Sequence, residues 1–154
     1  VAQQSTLGIS MAARSGEPKL FFPGLADFYE SVSDLWYPMI RIVAGAPLFV
    51  HVWPKLMNPA GTVAFLAKAG FHPFFTYSAM FLETVGAACI ILGLFTRFFA
   101  AALAIEMAVI TFVYMLPQGW GRMEPTFIWG VLFLAIALRG GGPYSLDRLI
   151  GKEL

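Results

Sequence analysis

The sequence predicts an all-α integral membrane protein, a four-transmembrane-helix bundle preceded by an interfacial amphipathic helix. Two observations carry this. Hydrophobic residues make up 58% of the 154-residue chain and charged residues 12%, against roughly 45–50% and about 25% in soluble domains. With a mean hydropathy of +0.73, a soluble particle of this size would lack the polar residues needed to cover its surface. The apolar residues are also gathered into long runs, at 35–54, 76–95, 98–116 and 125–138, with polar stretches between them.

In chain order, residues 1–19 are small and polar and lack the apolar centre of a signal peptide, so they read as a polar N-terminal extension. Over 20–34, Leu25, Phe28, Tyr29, Val32 and Leu35/Trp36 recur at helical spacing while Asp27, Glu30 and Ser33 occupy other faces. This pattern predicts a helix lying in the membrane interface, although packing of the same face on the rest of the protein fits equally. Residues 35–148 form the membrane domain and 149–154 a short tail. Each of the first three runs is about 20 residues long, enough to cross a hydrocarbon core of about 30 Å. The fourth is short and is expected to borrow Met123 or Gly140, or to rely on Arg139 snorkelling. Four spans are expected; three spans and a re-entrant segment form the competing count.

The connections are also legible. Asn58-Pro59 supplies an N-cap and first turn, and Gly70 a stop, for a short helix between the first two spans. Phe98 follows Arg97 directly after the second span, so spans two and three form a tight antiparallel hairpin. Arg14, Lys19, Arg97, Arg139, Arg148 and Lys152 fall on one side, and Lys55, Lys68 and Arg122 on the other. By the positive-inside rule both termini are expected to be cytoplasmic.

Charge and composition exclude several functions. A net charge of +1 leaves no footprint for nucleic acid. One cysteine, Cys89, forms no internal disulfide, and two distant histidines, His51 and His72, make a poor zinc or haem set. No Cys cluster or dinucleotide glycine fingerprint is present either, so the residues supply no intrinsic cofactor site and no metal site.

Ionisable groups inside spans are costly, and each needs a partner or a purpose. Arg41 lies in the first span, Glu83 in the second and Glu106 in the third, with His51 and Lys55 at the far end of the first. At a rise of about 1.5 Å per residue, Arg41 is roughly 9 Å and Glu106 roughly 12 Å from the cytoplasmic boundary, and Glu83 roughly 10 Å from the opposite one. These depths pair Arg41 with Glu106, and Glu83 with His51 or Lys55. Arg41, Gly45, Leu48, His51, Val52 and Lys55 share one stripe of the first helix. The set reads either as structural ion pairs that fix helix register or as a polar pocket that holds a head group and moves protons.

Several stretches in order resemble the DoxX-like family of small membrane proteins. They are Arg41-Ile-Val-Ala-Gly45, His51-Val-Trp-Pro-Lys55-Leu56, Glu83-Thr-Val-Gly86 through Gly93-Leu-Phe-Thr96-Arg97, and Pro143-Tyr144-Ser145-Leu146-Asp147. The resemblance implies a four-span bundle of the bacterial cytoplasmic (inner) membrane. It carries over Arg41, His51, Lys55 and Glu83 as the polar set, and it allows a bound quinone. Some relatives serve quinone-linked oxidoreductases, including thiosulfate:quinone oxidoreductase, or partner redox-stress proteins. The chain departs from the family pattern at Val52, where a glycine usually follows the histidine, so no close backbone approach is expected there. The implied function is an auxiliary or structural membrane subunit of a larger quinone-linked electron-transfer complex, with lipids and other membrane subunits as partners. The competing function is a quinone-reactive oxidoreductase subunit exchanging protons at Glu83 and His51.

Overall fold

The computed structural model describes residues 20–153, and the polar extension expected over 1–19 lies outside the described residues. Those residues contain helices, turns and no strand. The chain divides into two units between Ser33 and Asp34.

In the first unit, a 3-10 turn at Pro23–Leu25 leads into α1, Ala26–Val32. Pro23 occupies a first-turn position, where its missing N–H costs no hydrogen bond. The hydroxyls of Ser31 and Ser33 donate to the carbonyls of Phe28 and Glu30 at 2.7 and 2.8 Å. Such local side-chain bonds compete with helix continuation, and α1 is shorter than the amphipathic pattern over 20–34. Leu25, Phe28 and Tyr29 remain exposed.

The second unit is the membrane domain. Its first helix, α2 (Trp36–Met57), runs through Pro47 and Pro54. At 22 residues it is about 33 Å long. The short α3, Pro59–Lys68, is capped by Asn58, whose side-chain oxygen accepts from the Gly61 N–H at 3.0 Å. A long helix, α4 (Pro73–Leu92), follows; His72 caps it by accepting from the Phe74 N–H, and a π-helical turn at Leu82–Gly86 interrupts it. Helix α5 (Thr96–Gln118) contains a second π turn at Ile110–Met115. Helix α6 spans Trp120–Arg139, and the small α7 covers Leu146–Ile150.

Helices α4, α5 and α6 are each long and apolar enough to cross a membrane, and a fourth span is counted when the helical stretch through Met57 is included. The last span, expected over 125–138 with Met123 or Gly140 borrowed, does take in Met123: α6 has 20 residues, about 30 Å, and starts at Trp120. Arg122, Glu124 and Pro125 suggest a boundary by composition, but they occupy the first two turns of a helix that begins after Gly119.

The bundle closes around Ala44, Leu48, Ala87, Ile90, Ala100, Leu103, Met107, Phe133 and Ile136. α5 pairs extensively with α6, and α2 packs on the second half of α4. Gly45 makes the latter contact close, because a Cβ there would lie 2.9 Å from the Ala87 carbonyl oxygen. Small residues at such crossings let membrane helices approach and gain dispersion contacts that lipid cannot match.

Candidate functional site: two buried polar layers

The polar residues of the membrane domain fall into two layers. The first surrounds the α4–α5 turn. Helix α4 ends in a Schellman motif, with Gly93 at φ +69°, its N–H bonded to the Ile90 carbonyl, and the Leu94 N–H bonded to that of Cys89. The space left by the missing Cβ of Gly93 is filled by the Arg41 guanidinium and by Ser145. Arg41 is 1% exposed, donates from Nη2 to the Tyr144 carbonyl at 2.7 Å, and lies within electrostatic reach of Asp147. Its Nε and Nη1 find no acceptor among the described residues.

Asp147 ties the chain's end to this turn. Its carboxylate accepts from the Phe95 N–H, the Thr96 N–H and the Thr96 hydroxyl, at 2.7, 2.9 and 2.7 Å. Its own N–H donates to the Gly93 carbonyl at 2.8 Å. Tyr37 donates its hydroxyl to the Gly140 carbonyl, and Arg139 stacks over the Trp36 and Tyr37 rings. Arg97 donates to the carbonyls of Ala137, Leu138 and Arg139, which are the orphaned acceptors at the end of α6, and pairs with Glu153 at 3.0 Å. The sequence stretches 93–97 and 143–147 thus meet in space, with Arg41 beneath them.

The second layer lies deeper in the bundle. Lys55 Nζ contacts Glu83 Oε1 and Oε2 at 2.5 and 2.6 Å. The Glu83 side chain is 3% exposed and that of Lys55 29% exposed. Glu106 on α5 adjoins Glu83 and feels the charge of Lys55. Both Glu106 carboxyl oxygens are buried and accept no hydrogen bond from a described residue. Glu83 stands within the first π turn, and the second begins four residues after Glu106. Such turns recur at functional sites because the wider ring re-aims side chains and loosens the backbone bonding.

Of the two partners expected for Glu83, the structure selects Lys55. His51 is exposed, and its ring meets the edge of Trp129 at 5.1 Å between centroids. The expected pairing of Arg41 with Glu106 is corrected. Arg41 is level with Gly93 at the α4–α5 turn, whereas Glu106 is ten residues, about 15 Å, along α5 from Thr96. Depths counted from the ends of apolar runs erred because α2 enters the bundle with Arg41 already at the level of that turn. Asp147, Tyr37 and Thr76 were not anticipated as buried polar residues. The stretch 143–147 carried a signal for the first; Tyr37 and Thr76 are ordinary residues within apolar runs and carry none.

A helical membrane bundle with an ionisable triad at its centre and a second polar layer at one end defines the class of protein. Residues 37–116, more than half of the chain, match the DoxX family, and the chain belongs to it. It is 27% identical to the "Putative oxidoreductase CatD" of Bacillus subtilis (strain 168) over 116 residues, covering 74% of this chain and 86% of the relative. It is 28% identical to "Inner membrane protein YqjF" of Escherichia coli (strain K12) over 133 residues, covering 84% and 97%. No solved structure matches the chain significantly. The protein is therefore a membrane protein of the DoxX family whose exposed apolar surface meets lipid.

Proposed function

We propose that this protein is an auxiliary membrane subunit of a quinone-linked electron-transfer assembly in the bacterial inner membrane, with both termini cytoplasmic. The observation that carries the reading is the Lys55–Glu83–Glu106 layer, an ionisable cluster kept deep inside a predominantly apolar bundle. Ionisable groups at that depth cost several kcal/mol and are kept where protons or polar head groups are handled. The names of the two relatives, "Putative oxidoreductase CatD" and "Inner membrane protein YqjF", point the same way.

A quinone head group fits the residues present. Lys55 is the more exposed partner of the ion pair, so a head group arriving from lipid on that side would meet its ammonium before the Glu83 carboxylate. The Glu83 carboxylate behind it would accept or return a proton. When bound, the quinone would supply the electron chemistry, and the bundle supplies charge, orientation and exclusion of water. The catalytic alternative, with Glu83 and His51 exchanging protons on their own, has less support, because His51 packs on Trp129 and leaves Glu83 to Lys55. The exposed aromatic side chains of α1 support an interfacial or partner-contacting role for that helix.

Gentle isolation from native membranes, with identification of co-purifying chains and extracted quinone, tests the proposal. A redox subunit and quinone are expected to accompany the protein. Recovery of the chain alone, free of both, would overturn the reading.

A further inference from the structure

We infer that the Glu83–Glu106 pair holds one proton, carried by Glu106 and donated as a hydrogen bond to the Lys55-bound carboxylate of Glu83. This deepens the redox reading above by naming the proton store of the same site, and it rests on that reading only for its purpose.

The cluster brings two carboxyl groups and one ammonium into one buried layer. With both carboxylates ionised it would carry a net negative charge, and Glu106 would be an ion with two buried oxygens and no donor. An unpaired buried charge is the costliest arrangement available to a carboxyl group. Glu83 is in the opposite condition, since Lys55 Nζ holds both of its oxygens. A single proton taken from bulk water resolves the conflict, with the O–H bond formed on Glu106 because Glu83 is already compensated. Glu106 then gains a partner, the cluster becomes neutral, and two adjacent carboxyl groups share a proton as paired acids do.

Among the described residues, the neighbours of Glu106 supply no alternative counter-charge. α2 contributes Lys55, and α4 contributes Glu83. α6 has no charged residue between Glu124 and Arg139, and Arg41 stands in the other layer against Tyr144. The two π turns border the pair, giving the backbone there the slack for a side chain to change partners as the proton moves.

Infrared difference spectroscopy of the whole protein in lipid nanodiscs at neutral pH, recorded on exchange from light to heavy water, reads the proton directly. One carboxylic acid C=O band is expected in the native chain, and it should vanish in Glu106→Gln, whose amide still donates to Glu83 and keeps the fold. Lys55→Met removes the cation, so Glu83 should also become an acid and the band area should rise about two-fold. Asp147, buried in the other layer, accepts three hydrogen bonds and is not the expected source of this band. Absence of the band in the native protein, or its survival in Glu106→Gln, overturns the inference. Because no redox partner is needed, failure here leaves the subunit reading standing, and failure to co-purify a partner leaves the band unaffected.

Discussion

The Asp147 carboxylate holds Thr96 twice, through the backbone N–H at 2.9 Å and through the hydroxyl at 2.7 Å. Residues 51 positions apart are thereby joined. The α4–α5 turn is fixed by a segment beyond the last span. The same carboxylate compensates Phe95, a non-glycine residue at φ +47°, a backbone region that costs roughly 1–2 kcal/mol outside glycine.

Asp147→Ala should therefore be among the more damaging single changes in the chain. It strands the Phe95 and Thr96 N–H groups and leaves Arg41 without its nearby carboxylate, with an expected loss of about 3 kcal/mol. Thr96→Val removes only one of the three bonds and should cost about 1 kcal/mol. Thermal unfolding in detergent micelles ranks the two; equal midpoints for Asp147→Ala and the native chain would refute the claim.

Two glycine substitutions should have opposite signs. A Cβ at Gly93 collides with the Arg41 guanidinium at a positive φ, so Gly93→Ala should cost at least about 1 kcal/mol in backbone strain and displace Arg41 besides. Gly121, near the start of α6, has open space around it, and Gly121→Ala should gain up to about 1 kcal/mol. The same micelle melts read both, and a stable Gly93→Ala protein would show that Arg41 does not need that space.

Lys55 and Glu83 should behave as a coupled pair. Removing either partner alone leaves the other buried without its counter-group and should cost about 3–5 kcal/mol, whereas replacing both with apolar residues of similar volume should recover most of the loss. A double-mutant cycle measures the coupling. Additive losses would show that the two charges do not stabilise one another in the lipid-embedded state.

Sidedness follows from the Lys and Arg distribution. A reporter fused after Leu154 should read as cytoplasmic, and one inserted in the loop near Gly119 should read as external. Reversed signals would invert the placement of both polar layers relative to the membrane.

Much of the fold was legible in the sequence because its signals are local. The runs of apolar residues, the Asn58-Pro59 cap and the Gly70 stop act within a turn of where they stand, and each reappears in the structure. The apolar run at 125–138 marks less than the whole last helix because charge at the start of α6 reads as loop when it is the interfacial end of a helix.

What the sequence by itself determined is that Arg41, Glu83 and Glu106 stand inside a membrane bundle, because each falls within an apolar run long enough to span. What only the tertiary structure decided is who meets whom. Arg41 joins the turn at Gly93, and Glu106 joins Lys55 and Glu83. These pairings depend on the relative sliding and rotation of whole helices, which are set by close approaches such as Gly45 on Ala87 and by the anchoring of Asp147 on Thr96. A shift of one turn along a helix moves a side chain about 5.4 Å, enough to exchange one partner for another, and that shift is a property of packing between distant residues.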